Sequence, residues 1–200
     1  MPTPLSGIKH YYLVYKPYDV LSQFTDGLGR KTLMNFGPFP KDVYSVGRLD
    51  LDSEGLLLLT NDNEVNHRLT DPEFEHPRTY LVQVEGIPSK ESIAQLRFGV
   101  VIQGEKTKPA EAILLENAPA VSPRNPPIRE RKSIPTAWIE LTLREGRNRQ
   151  VRKMTAAVGH PTLRLIRIKI GELTIGNLKP GEVHQLSEKE GRDLRKFLGL

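Results

Sequence analysis

Three acids crowd one short stretch, VGRLDLDSEGLLLLTND at residues 46–62: Asp50, Asp52 and Glu54, with Arg48 just before them and Gly55 just after. Carboxylates at this density can hold a metal, work as an acid–base pair, or serve singly as a charged nucleophile or base. Calcium fails on spacing. The acids and Gly55 imitate the opening of an EF-hand loop, but the bidentate acid that closes such a loop falls at Asn61, and Leu56 to Leu59 fill positions that need water nearby. The five histidines, His10, His67, His76, His160 and His184, show no paired metal spacing. A glycosidase pair needs carboxyls roughly 5–9.5 Å apart, one of them with its pKa raised in an apolar pocket. Arg48 favours the ionised form instead. The stretch suits one carboxylate kept charged, or a structural ion pair at a turn.

A second chemistry is written in the charge. The chain carries a net charge of +5, and between Arg144 and Lys169 eight basic residues face one acid, Glu145. Such clustering is the footprint of a polyanion partner, or else a solvated basic face. A membrane surface fits poorly, because no basic amphipathic helix with exposed aromatics is present. The segment NAPAVSPRNPPIRERKSIPT, residues 117–136, holds five prolines and four basic residues, Arg124, Arg129, Arg131 and Lys132. It cannot be a regular helix or a central strand. A basic flap over a binding groove is the expectation. There is no cysteine, which excludes disulfides, thiolate metal sites and cysteine nucleophiles and fits a reducing compartment. The N-terminal residues lack an apolar secretory core, and the longest aliphatic run, Leu56 to Leu59, is far too short to span a bilayer. A cytoplasmic location follows as the expectation.

These groups need elements to position them. His10 to Tyr15, Val43 to Val46, Thr79 to Val84, Ala110 to Leu115 and Ala137 to Leu143 read as strands. Gly55 to Thr60 is a continuous apolar run, a strand buried on both faces. Asn61 or Asp62 can cap a short helix through Leu69, and Ser89 to Phe98 is helical with Gly99 as its stop. Asn148 can cap a helix running to Val158, with Val151, Met154 and Val158 as its apolar stripe and Arg149, Arg152 and Lys153 on another face. Leu163 to Ile170 is a strand whose alternation slips at Leu165-Ile166, which predicts a bulge there. Ser187 with Glu190 forms a capping box for a last helix. Strands and helices mix without regular βαβ alternation, so the class is α+β.

GRLDLDSEGLLLLTND resembles the central motif of the pseudouridine synthases, in the branch acting on ribosomal RNA, and three more segments follow in the family's order. YKPYDVLSQ at residues 15–23 resembles the first motif, with Tyr15 where asparagine is common. RTYLVQVEG at residues 78–86 resembles the basic-x-Tyr strand. EGRNRQVRKMTAAVGHPTLRLIRIKIG at residues 145–171 resembles the third motif. The resemblance spans nearly the whole chain, and the proline loop resembles that of family members acting on the large ribosomal subunit. Met1 to Lys9 are too few for the S4-like RNA-binding domain that many relatives carry there, which leaves RNA affinity to the catalytic domain and its loops.

The resemblance implies a single catalytic domain over residues 1–200. Its fold is a bent, largely antiparallel mixed sheet in two lobes with a central cleft and flanking helices. It implies an isomerase that turns a uridine of large-subunit ribosomal RNA into pseudouridine, without cofactor or metal and as a monomer. Asp50 becomes the essential aspartate, attacking C1′ or C6 or taking a proton on a glycal route. Tyr80 becomes the tyrosine under the uracil, and Arg152 the arginine paired with Asp50. Arg48 becomes the residue that fills the space of the everted base. Arg78, Arg124, Arg129, Arg131, Lys132, Arg147, Arg149 and Lys153 become RNA contacts. Asp52, Ser53 and Glu54 shape the turn. Alternatives are action on small-subunit ribosomal RNA or transfer RNA, and a non-catalytic RNA-binding assembly factor on the same fold.

Overall fold

The apolar run after the acidic turn forms the backbone of the sheet. In the computed structural model, which describes residues 7–128, 131 and 133–200, this strand, β3 (Glu54–Thr60), is buried at every position. It pairs antiparallel with β1 (Tyr11–Lys16) and with the short β2 (Tyr44–Ser45). On its other side it meets β9 (Thr162–Ile170), the one parallel pairing in the main sheet. Beyond β9 come β4 (Arg78–Glu85), β8 (Thr136–Leu143) and β7 (Glu111–Leu114), all antiparallel. Two further strands, β10 (Leu173–Thr174) and β11 (Val183–Gln185), join β9 and β1, giving nine strands in one mixed sheet. The hairpin of β5 (Val101–Ile102) and β6 (Glu105–Lys106) stands apart.

Four helices flank the sheet, and each starts as its sequence dictates or for a visible local reason. Asp62 caps α1 (Asn63–Thr70), accepting from the Glu64 and Val65 amides, and Ser89 caps α2 (Lys90–Phe98). Ser187 and Glu190 make the expected capping box of α4 (Glu188–Phe197). The third helix, α3 (Gln150–Ala157), corrects one expectation. Asn148 is not its cap. Arg149 holds that position in the left-handed region, at φ 51°, with no side-chain cap bond. The turn is organised by Gln150, whose Oε1 accepts from the Arg147 amide at 2.9 Å while its Nε2 donates to Glu145 at 2.6 Å.

Among the described residues the core divides into four hydrophobic clusters, two of which carry the helices. In one, Ile93 and Leu96 of α2 and Val151 and Met154 of α3 pack on Val82, Val84, Ile139 and Leu141. In the other, Val65 and Leu69 of α1 and Leu194 of α4 pack on Tyr11, Leu13, Leu56 and Leu58. The two lobes meet where β3 and β9 pair through only two positions, Glu54 with Ile166 and Gly55 with Arg167. The bulges of β9 also correct an expectation. Its register against β4 skips Leu163 and Ile168, not Leu165-Ile166. Leu165 and Arg167 share a face by ordinary alternation, and the extra residue at Ile168 brings Ile170 to the same cleft.

Gly55 is fixed by this seam. Its φ is +108°, and a Cβ added there would sit 2.2 Å from the Arg167 carbonyl oxygen. A side chain therefore forces apart two backbones while adopting a conformation closed to L residues. Gly55→Ala is expected to lower the unfolding free energy by about 3 kcal/mol or more, measured by urea denaturation. Unchanged stability would show that the seam yields freely.

Candidate active site

The acidic turn sits between the lobes. Asp50 to Ser53 close a turn through the Ser53 amide, which donates to the Asp50 carbonyl at 3.0 Å. A second segment backs it. The Asp19 amide donates to the Leu51 carbonyl at 2.9 Å, and Ser22 Oγ donates to the Leu49 carbonyl at 2.8 Å. Behind the turn lies Lys16, fully buried, with Nζ donating to the carbonyls of Pro17 at 2.9 Å and Val20 at 2.7 Å. Burial pushes its ammonium down to about 8, against the pull of Glu54, Asp52, Asp50 and Asp19.

Each acid has a distinct fate. Glu54 is buried and accepts two bonds from Arg164, at 2.7 and 2.8 Å, which tie β3 to β9. Asp52 accepts two from Arg149, at 2.9 and 2.7 Å. Burial opposes its ionisation, but the Arg149 bonds and the nearby Arg152 charge outweigh that and hold its carboxyl below the usual range. Asp50 lines the cleft, with Arg149 Nη1 3.4 Å from its Oδ2. The partner expected for Asp50 was Arg152. The structure instead turns Arg152 to the Asp52 carbonyl at 2.7 Å and the Asp52 carboxylate at 3.4 Å. The left-handed backbone at Arg149 aims that side chain over the turn in its place.

The cleft has a volume of about 490 Å³. Asp50 and Arg48 line it from the turn, Tyr80 and Arg78 from β4, and Arg147 and Arg149 from the start of α3. Arg78 is tethered by Nη2 to the Leu69 carbonyl at 2.7 Å. Arg147 is folded onto the β5–β6 hairpin, donating to the Lys106 carbonyl at 2.9 Å, and Lys153 reaches Gln103 at 2.7 Å. In the proline loop Arg124 lies over the Tyr18 ring at 4.3 Å, and Arg131 pairs with Glu85 at 3.1 Å. Arg129 and Lys132 lie outside the described residues. The loop is anchored from below, since Arg164 also donates to the Ser122 carbonyl at 2.9 Å and Val121 packs beside Trp138.

One site residue, Arg167, escaped the sequence, and Arg149, expected as an RNA contact, has a second role. Arg167 lines the cleft but is buried, with Nε donating to the Leu56 carbonyl at 2.9 Å. Arg149 carries the contact assigned to its neighbour three residues on. An arginine flanked on both sides by isoleucine, at the centre of RLIRIKI, was the available signal for Arg167. Among the described residues no group of three or more His, Cys, Asp or Glu could hold a metal ion, and no helix is long and apolar enough to cross a membrane.

A carboxylate, a tyrosine and arginines around one cleft, over a split mixed sheet, accord with what the chain matches as a whole. Residues 10–157 match the RNA pseudouridylate synthase family, and the chain belongs to it: an isomerase acting on RNA. It is 55% identical over 170 residues to ribosomal large subunit pseudouridine synthase E of Xanthomonas axonopodis, covering 84% of this chain and 89% of that one. The enzyme of the same name from Vibrio parahaemolyticus is 53% identical over 167 residues, covering 84% and 69%. A crystal structure of a pseudouridylate synthase superposes with a TM-score of 0.77 at 30% identity, over 94% of this chain and 74% of that one.

The buried ammonium behind the turn yields a pH test. The folded pKa of Lys16 lies near 8, below its ordinary 10.5. Between those values the unfolded chain binds more protons than the folded one, so this group adds stability as pH rises. The stability of the wild type relative to Lys16→Met is expected to climb by about 3 kcal/mol across that window and to stay flat below pH 7, read from paired denaturation curves. A difference that falls with pH would contradict the assignment.

Proposed function

We propose that the chain converts a specific uridine of large-subunit ribosomal RNA to pseudouridine, with the Asp50 carboxylate as the reacting group and no cofactor. One observation carries this reading: Asp50, Tyr80 and Arg48 converge on a single cleft rimmed by arginines. The names of the relatives more than half identical to it support the large subunit as the target. The same reading places a monomeric enzyme in the cytoplasm.

The reaction breaks the bond between N1 of uracil and C1′ of ribose, turns the base and joins C5 to C1′. C5 then gives up its proton and N1 gains one, so nothing is oxidised and no atom of the substrate skeleton leaves. A charged Asp50 serves at C1′, at C6 or as the base of a glycal route. Arg149 Nη1 lies 3.4 Å from the Asp50 carboxylate, placed to balance charge at the reacting group. Arg152 acts one step back, holding the turn through the Asp52 carbonyl. The base must leave its helix to be reached. Tyr80 offers the ring on which it stacks, worth about 1–3 kcal/mol, and Arg48, exposed at the rim, fills the space it vacates. Arg78, Arg124, Arg131, Arg147, Arg149 and Lys153, with Arg129 and Lys132 of the loop, supply backbone contacts.

Two measurements test this. With ribosomal RNA tritiated at uridine C5, Asp50→Asn is expected to release tritium at least about 1,000-fold more slowly than wild type, with RNA affinity changed less than about 3-fold. Equal release from both proteins removes Asp50 from the chemistry, and release from small-subunit RNA alone moves the target. Binding to a large-subunit fragment is also expected to weaken steeply with salt, by roughly 0.7–0.9 logarithmic units per phosphate contact for each decade of salt. Salt-independent binding would rule out the arginine rim as the RNA surface.

A further inference from the structure

The charges buried in the seam are nearly all matched. Arg164 has Glu54 and the Ser122 carbonyl, and Lys16 has its ring of carbonyls. Arg167 differs. It is 4% exposed, its Nε is bonded to the Leu56 carbonyl, and its Nη2 has no hydrogen-bond partner. A guanidinium is a donor only and stays charged, so a buried N–H of this kind calls for an acceptor.

The backbone allows little freedom in where that donor points. Arg167 lies directly across from Tyr80 in the antiparallel β4–β9 pair and directly across from Gly55 in the parallel β3–β9 pair. Directly opposed residues of a pair project to the same face, and both Arg167 and Tyr80 line the cleft. The bulge at Ile168 begins at the next residue, the usual device for re-aiming one side chain beside a site. The Tyr80 hydroxyl lies close enough to Arg167 to favour its charged form, against the effect of burial.

We propose that Arg167 is a positioning residue for the isomerisation: its guanidinium donates to the Tyr80 phenol oxygen and sets the plane of the ring on which the uracil rests. This deepens the reading of Asp50 and Tyr80 given above and rests on it. The geometry has a directional consequence. Because the arginine can only donate, the phenol oxygen accepts from it and the phenol O–H is left to donate into the cleft. The hydroxyl is thereby turned toward an acceptor on the base, such as a uracil carbonyl. Its anchor is a strand of the opposite lobe through Leu56, so the ring is registered against the strand that leads out of the Asp50 turn.

A double-mutant cycle tests the assignment, with single-turnover tritium release and RNA affinity as separate readouts. Arg167→Gln is expected to slow release about 10- to 100-fold with affinity changed less than about 3-fold, and Arg167→Lys to recover part of the rate. In a Tyr80→Phe background the same Arg167→Gln change should cost less than about 3-fold, because the hydroxyl it serves is gone. An equal factor in both backgrounds, no slowing at all, or an effect confined to affinity overturns the proposal. Failure of both Arg167 variants to melt cooperatively also overturns it, by assigning the residue to the sheet alone. A silent wild type, or an active Asp50→Asn, defeats the catalytic reading instead and is distinguishable from these outcomes.

Discussion

Everything in this molecule is arranged around one close contact: the backbone of Gly55 against the backbone of Arg167, where two half-sheets join. The parallel pairing there is only two residues long. A side chain at Gly55 would collide with the facing carbonyl, so the approach is available to glycine alone. Immediately beside it the buried Glu54–Arg164 pair closes the same seam. A buried ion pair is a weak source of net stability but a strict one for geometry, since either partner alone would be left charged and unpaired. The acidic turn leads directly into this joint, so its carboxylates inherit the precision of the sheet.

That precision divides the cations into two populations. The basic segment between Arg144 and Lys169 looks uniform by composition, but its members do different work. Arg164 and Arg167 are consumed inside the sheet. Arg149 and Arg152 are turned onto the acidic turn, and Arg147 is folded onto a hairpin carbonyl. Fewer charges are therefore free for a polyanion than the count of eight suggests, and those on the turn act on the reacting group as well as on the partner. Arg149 and Arg152 thus converge on the Asp52 carboxylate, Arg149 reaching on to Asp50 and Arg152 to the Asp52 carbonyl.

Much of this was legible in the residues. The double-sided burial of β3 followed from an unbroken apolar run, the cap of α1 from one of two candidates, Asp62, that of α4 from Ser187, and the mixed class from the order of elements. The motif resemblance carried the family, and the structure gathers Asp50, Tyr80 and Arg48 about one cleft. What stayed hidden was set by tertiary geometry. The bulges at Leu163 and Ile168 could not be located from the apolar pattern, because the register between them is regular and residues 164–167 are buried on both faces of the strand. That Arg149 holds the N-cap and lies nearest Asp50 was also hidden, since Asn148 looked the better cap. Arg167 was counted as surface charge because burial of a strand cation is visible only once its neighbours are known.

The strand order has a temporal consequence. The two segments that carry Asp50 and Tyr80 are close in sequence, yet β9, made much later, lies between their strands. The pairing that holds β3 and β4 in one sheet is therefore complete only once residues 162–170 have been made. Until then, the carboxylate and the phenol belong to separate nascent fragments, and a chain halted before residue 162 would hold both groups without the framework that joins them.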